Sequence, residues 1–282
     1  MAMKLVSAEF NRCAGLGNKL FPWARAKIYS AENGCPMLAT RWLSPHGGAI
    51  TRGGVDYAKA LRKIWLVGNF RQVRDEISQL GYFIKYRGLP ILIAQSLGDI
   101  PCGDGHLVFK WNAHHDFLDL KGHQAFLRNA IHVMAKPSML AFADKYDYDF
   151  IGLNIRCGKD FVTKASGGKG YVQTELDWFC QSLSQIREEY GNMPAIVVSD
   201  GGYRQLEKLL KEPNVHLLDS PTAIADLLVL SQAKVLLGSG NSTFSAWASF
   251  LGEMDTFSSK DTPFTHEGLK DGRNGAKIVG VM

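Results

Sequence analysis

"VHLLDSPTAIADLLVLSQAKVLLGSGNSTFSAWASFLG", residues 215–252, carries the pattern that decides the fold. "VHLLD" (215–219) is an apolar run of strand length, and Thr222 then stands where the helix "AIADLLVLSQ" needs an N-cap. "KVLLG" (234–238) repeats the strand and "STFSAWASFLG" (242–252) repeats the helix, with Gly252 as the expected stop. The same alternation precedes it: strand "FIGLNIR" (150–156), helix "ELDWFCQSLSQIREEYG" (175–191), strand "AIVVSD" (195–200), helix "YRQLEKLLK" (203–211). Strands that are apolar throughout, separated by helices, form parallel sheets covered on both faces.

The first half repeats the theme with more interruptions. "KLVSAEF" (4–10), "PMLAT" (36–40) and "HLVFKW" (106–111) read as strands. "NKLFPWARAKIYSAENG" (18–34), which contains Pro22, and "HQAFLRNAIHVMA" (123–135) read as helices. Residues 43–105 are rich in Gly and Pro and show no clear elements, and "ADKYDYDF" (143–150) is the predicted boundary. The expectation is two Rossmann-like lobes with a ligand cleft between them, residues 1–145 on the acceptor side and 146–282 on the nucleotide side.

Composition narrows the function classes. The chain of 282 residues has a net charge of +5, too small and dispersed for a nucleic-acid footprint. Its five cysteines form no close pair, which argues against a zinc cluster or a disulfide framework. No signal peptide or transmembrane run is read, so the expected location is the cytoplasm.

Four stretches could carry chemistry, each at a strand end. "GLGNKLF" (15–21) follows the first strand with Gly15, Gly17 and Asn18, but its glycine spacing fits neither a Walker loop nor a dinucleotide fingerprint. "IGLNIRCGKDF" (151–161) delivers Asn154, Arg156 and Asp160, where an arginine can clamp a phosphate or pair with a structural carboxylate. "VVSDGG" (197–202) delivers Ser199 and Asp200, a base or ribose acceptor or alternatively a cap for the helix near Tyr203. "GSGNSTF" (238–244) offers Gly240, Asn241, Ser242, Thr243 and Phe244 at a helix start, a phosphate site or an ordinary cap.

Together these stretches resemble the motifs of the fucosyltransferase superfamily. "GLGNKLFPWARA" is similar to the N-terminal block of α-1,2-fucosyltransferases, "NIRCGKD" to their H-x-R-x-G-D segment, and "VVSDG" to their SDD segment. "LLVLSQAKVLLGSGNSTFSAWASFLG" resembles their L-x-x-M-S…NSSFSWWGAWL block, and the order agrees across nearly the whole chain. The departures are Asn154 in place of His, one residue inserted before Asp160, Gly201 in place of the second acid, and Lys19 in place of Gln. The resemblance implies a GT-B-like fold, GDP-fucose as donor, a glycan acceptor, inversion at the anomeric carbon, and no metal or other cofactor.

Within that reading Arg156 meets the charge leaving on the phosphate, and Asp116 or Asp160 is the candidate general base. A metal-dependent transferase would use "DYD" (147–149), but that triplet precedes its strand and so falls at the opposite edge. His114, His115 and Asp116 form an acceptor-side cluster or an exposed polar loop, and "SGGKG" (166–170) reads as a loop near the cleft. Trp42 and Trp111 are the tryptophans placed to stack on a sugar. The alternatives are another nucleotide sugar on the same fold, or a binding protein that has lost catalysis.

Overall fold

The computed structural model describes residues 4–10, 14–40, 42, 56, 70, 73, 76–111, 117–158, 161–162, 171–264 and 266. The first lobe has β1 (Leu5–Glu9), β2 (Met37–Leu38), β3 (Glu76–Ile77), β4 (Ile91–Ala94) and β5 (His106–Lys110), all parallel in the order β3-β2-β1-β5-β4. The second has β6 (Ile151–Ile155), β9 (Ala195–Ser199), β10 (Val215–Leu217), β11 (Val235–Gly238) and β12 (Asp255–Phe257), parallel in the order β10-β9-β6-β11-β12. Two short strands, β7 (Phe161–Val162) and β8 (Tyr171–Val172), pair separately. In each sheet the chain starts at the middle strand, winds outward, then crosses to the other side. The strand order therefore reverses beside β1 in one lobe and beside β6 in the other, and at such a reversal the connections diverge and leave room at the strands' C-terminal ends.

The helices α1 (Leu16–Asn33), α2 (Gln79–Lys85), α3 (Gln124–Met134) and α4 (Pro137–Ala143) precede the second sheet. The helices α5 (Leu176–Tyr190), α6 (Tyr203–Leu210), α7 (Ala223–Leu230) and α8 (Thr243–Gly252) lie within it. Thr222 caps α7 as expected, its hydroxyl accepting from the Ala225 N–H at 3.2 Å. Gly252 does not stop α8: it is the last helical residue, and Glu253 takes the left-handed conformation at φ 54°. Glycine is needed at 252 for a different reason, because a Cβ there would meet the Ser231 carbonyl at 2.5 Å and the Met254 side chain.

One apolar core runs through both lobes. Val6, Leu20, Phe21 and Leu107 of the first belong to the same buried cluster as Leu227, Trp247 and Phe250 of the second. A second cluster, including Ile151, Leu153, Leu183, Leu206 and Val235, fills the far face of the second sheet. Phe21 packs on Trp247 with ring centroids 5.1 Å apart, and Phe117 lies 5.0 Å from Trp247 and 4.7 Å from Phe250. One turn earlier on both helices, Gly17 abuts Thr243. Equal steps from 17 to 21 and from 243 to 247 mean that α1 and α8 lie side by side and run in the same direction. The helices α3 and α4 pack on α8 and α7, and Arg128 Nε donates to the Leu251 carbonyl at 2.6 Å.

Trp42, a candidate sugar platform, is a core residue instead. It is buried and lies 4.4 Å from Phe70 and 5.2 Å from Phe10, ring to ring. The charged residues inside α1 are anchored: Arg25 Nε and Nη2 reach Asp119 at 2.7 and 3.0 Å, and Asp119 also accepts from the Leu97 N–H at 2.8 Å. A bidentate pair of this kind offsets the cost of burying the guanidinium.

Trp247 is fully buried between rings from both lobes, so Trp247→Ala removes one of the largest side chains of their common core. The expected loss is about 3–5 kcal/mol in urea unfolding. A loss under about 1 kcal/mol would show that the lobes do not depend on a shared core.

Candidate active site

The C-terminal ends of β1, β6 and β11 meet where α1 and α8 begin. Gly15 is the N-cap of α1 and Ser242 the N-cap of α8, its hydroxyl accepting from the Ser245 N–H at 3.3 Å. A Cβ at Gly17 would lie 2.7 Å from Thr243 Oγ1 and 2.9 Å from the Phe244 amide nitrogen, so only glycine lets the two helix starts come this close. The first N–H groups of a helix lack internal acceptors, and each start carries roughly half a positive charge. Two such starts at one point favour an anion.

Asn18 stands in the first turn of α1, half-buried, and its Oδ1 is shielded from solvent with no hydrogen-bond partner among the described residues. Pro22 inside the same helix has no N–H, which removes the usual helical donor to the Asn18 carbonyl. Asn18 thus presents acceptors beside a cluster of donors.

Below the α8 start, the end of β6 is bonded to the loop that precedes the helix. Asn154, buried, donates through Nδ2 to Ser245 Oγ at 2.7 Å and to Ser242 Oγ at 3.4 Å. The Arg156 N–H donates to Ser239 Oγ at 3.0 Å, and the Arg156 guanidinium pairs with Asp200 at 3.0 Å. Asp200 also accepts from the Cys157 N–H at 2.7 Å, so both its carboxylate oxygens are engaged within the protein. Arg156 thus does have an acidic partner, and it comes from β9 rather than from its own strand. The alternative cap role for Asp200 is not realised: Gly202 caps α6, and its N–H donates to the Gln205 side chain at 3.0 Å.

Two of the motif glycines serve packing inside the protein. A Cβ at Gly240 would overlap the Thr262 carbonyl, and one at Gly238 would meet the Phe264 ring at 2.6 Å. Residues 258–264 therefore form a strap over the loop, tied by the Phe264 N–H to Ser258 Oγ at 3.2 Å and by Thr262 to Thr174 at 2.7 Å. Asn241 in that loop takes φ 57°, a conformation Asn tolerates better than most side chains. Phe244 is partly buried against the common core.

The motif reading missed several members of the site. Cys157 and Gly201 join the expected Ser199 in a knot beneath Arg156: Ser199 Oγ accepts from the Gly201 N–H at 2.9 Å and lies 3.6 Å from Cys157 Sγ. A Cβ at Gly201 would lie 2.6 Å from that sulfur, so Cys157 accounts for glycine at the place of the second acid. Asp56 donates its N–H to the Asp200 carbonyl at 3.0 Å. The strap residue Thr262 was likewise unforeseen. No signal marked Asp56, which sits in a stretch without periodicity; the residue inserted before Asp160 and Gly201 in place of the second acid were the readable hint for the knot. Asp116 and Asp160 lie outside the described residues, as do His114, His115 and the "SGGKG" loop. "DYD" sits before β6 at the far edge, where Asp149 pairs with Lys234 at 3.6 Å. Among the described residues no group of three or more His, Cys, Asp or Glu side chains is arranged to hold a metal ion.

Two parallel α/β lobes joined at their strand ends define the GT-B-like class of glycosyltransferase. The model of glycosyl transferase family 11 matches residues 84–266, and the chain belongs to that family. No curated protein matches it in sequence. Its fold is similar to NodZ α-1,6-fucosyltransferase soaked with GDP-fucose, at 13% identity and TM-score 0.53 over 88% of this chain and 92% of that one. A second NodZ structure, from Bradyrhizobium, gives 13% identity and TM-score 0.52 over 89% and 94%. POFUT1 in complex with GDP gives 11% identity and TM-score 0.51 over 88% and 93%.

Burial pushes the Cys157 thiol pKa above its ordinary value, the Ser199 contact opposes this, and the Asp200 charge adds to it. The thiol is therefore protonated and shielded at neutral pH. Native protein treated with iodoacetamide is expected to be alkylated at the exposed Cys102 and spared at Cys157. Rapid labelling of Cys157, read by peptide mass spectrometry, would contradict the buried knot.

Proposed function

We propose that this glycosyltransferase moves fucose from GDP-fucose to a glycan hydroxyl, with inversion at the anomeric carbon and without a metal ion. The observation that carries the reading is the abutment of two helix starts beside Arg156. As the sugar–phosphate bond breaks, negative charge builds on the leaving diphosphate. Positive groups already aimed at that point lower the barrier, because they need no rearrangement during the reaction. Arg156, the Ser242 and Thr243 hydroxyls and the amides of both helix starts are assigned that task. NodZ soaked with GDP-fucose and POFUT1 in complex with GDP-fucose, both similar in fold, support this donor.

Asn18 is assigned to the sugar, since its free acceptor suits a hydroxyl better than a phosphate. Asp200 is assigned a positioning role that holds the guanidinium of Arg156. In this scheme residues 1–145 bring the acceptor and 146–282 the nucleotide. The acceptor hydroxyl attacks the anomeric carbon from the face opposite the diphosphate, and its proton passes to a carboxylate, for which Asp116 and Asp160 are the candidates.

Two measurements test the proposal. In a thermal-shift panel GDP should raise the melting temperature more than UDP, ADP or CDP, since a ligand bound only by the folded state stabilises it. Transfer should also survive EDTA. A clear preference for UDP would refute the donor, and loss of transfer in EDTA would refute the metal-free scheme.

Arg156→Ala should lower turnover by roughly 100- to 1000-fold, about 3–4 kcal/mol, while weakening GDP binding less. Arg156→Lys should restore only part, because lysine keeps the charge and loses the fork. Calorimetric GDP affinity beside steady-state transfer separates the two effects. A folded Arg156→Ala variant with near-normal turnover would make the Arg156–Asp200 pair a structural one.

A further inference from the structure

Asp56 lies in sequence between β2 and β3 of the first sheet, yet it reaches the second lobe. It stands midway between Trp42 and Phe70, whose rings pack 4.4 Å apart against the common core. The chain thus leaves that core at Trp42, touches the end of β9 at Asp56, and is back beside Trp42 at Phe70. At the far point the Asp56 N–H donates to the Asp200 carbonyl at 3.0 Å. Its side chain lies against Gly202, since a Cβ placed on that glycine would be 3.4 Å from Asp56 Oδ2.

Both contacts fall on a turn that the strand ladder does not secure. β9 ends at Ser199, and its pairing with β6 ends there too, so Asp200 is held by other means. Its carboxylate is engaged on the β6 side, Oδ1 by the Cys157 N–H and Oδ2 by the Arg156 guanidinium. The bond from Asp56 fixes the main chain of the same residue from the opposite lobe. The Asp56 carboxylate adds to this beside Gly202, the N-cap of α6, because the first N–H groups of a helix lack internal acceptors and favour negative charge. One residue therefore braces both Asp200 and Gly202.

We propose that Asp56 is a positioning residue for Arg156: it fixes the main chain of Asp200, whose carboxylate sets the direction of the guanidinium. The inference rests on the assignment of Arg156 to the leaving diphosphate. The Arg156 and Asp200 side chains are only 22% and 19% exposed, so their protein neighbours decide where they stand. A shift of the turn is passed on to the guanidinium, and a misplacement of about 1 Å can cost roughly a hundredfold in rate. The arginine of one lobe is thus aimed by a residue of the other, and only while the two lobes are in register.

The test uses the full chain and hydrolytic GDP release from GDP-fucose, in which water takes the place of the acceptor. Asp56→Pro removes the N–H together with the carboxylate, and should slow turnover by roughly ten- to hundredfold with little change in KM. Asp56→Ala keeps the N–H, should show a smaller loss, and decides the matter if the proline variant does not fold. Asp56→Asn keeps an acceptor at the start of α6 and should recover most of the alanine loss. In an Arg156→Ala background the Asp56 changes should cost almost nothing more, since a residue acting through another loses its effect when that one is gone. Iodoacetamide labelling of Cys157, which abuts Gly201 in the same turn, reads the brace without any ligand and should quicken roughly tenfold in Asp56→Pro. A wild type that releases no GDP, with the faster labelling seen, would refute the donor and leave the brace standing. Unchanged Cys157 labelling in the folded Asp56 variants would overturn the proposal, as would losses of turnover that multiply with that of Arg156→Ala.

Discussion

Two helices lying side by side in the same direction place their positive ends together, an arrangement their own dipoles oppose. The packing of Phe21, Phe117, Trp247 and Phe250 imposes it here, and Gly17 removes the one Cβ that would keep the ends apart. Everything at the candidate site is arranged around that forced meeting. Arg156 and Asn154 approach from β6 through hydrogen bonds to serines of the α8 loop, and Asn18 sits one residue beyond the point of contact. The positive field exists in the protein before any ligand arrives, and apolar burial far from the charge is what sustains it.

The support beneath Arg156 is polar and layered. Asp200 holds the guanidinium, the Cys157 amide holds Asp200, and the Ser199 hydroxyl holds the turn at Gly201. Each step uses a group that would otherwise be left unsatisfied as it is shielded from water, so the knot fixes geometry and meets the demand of buried polar atoms together.

Much of this was legible in the sequence. The strand and helix alternation of the second lobe emerged with element ends within a residue or two, because its strands are short apolar runs bounded by glycine or a capping hydroxyl. Thr222 is a clear case: its side chain offers the local bond that the helix start lacks. Gly17 and Gly240, expected beside a ligand, are places where the protein approaches itself, and local pattern could not say what approaches. At Gly240 it is the Thr262 carbonyl, and at Gly17 it is a helix more than two hundred positions away. Trp42 misled for the same reason: its partners Phe10 and Phe70 come from distant strands and bridges that no local period reveals. Pairings that depend on tertiary contact, such as Arg156 with Asp200 of the neighbouring strand, leave no spacing rule to read.

The common core also bears on how the chain acquires its shape during synthesis. β1 and α1 leave the ribosome before α8, and Phe21 finds Trp247 only when more than two hundred further residues have been made. Until then the side of α1 that meets α8 has no partner, and contacts of such large sequence separation form slowly because a long loop must close before they bring any gain. The early lobe must therefore persist as an open, apolar half-structure that waits for its other half. A translation pause or premature stop before α8 would leave that surface uncovered, the condition under which incomplete chains are taken up by chaperones or aggregate.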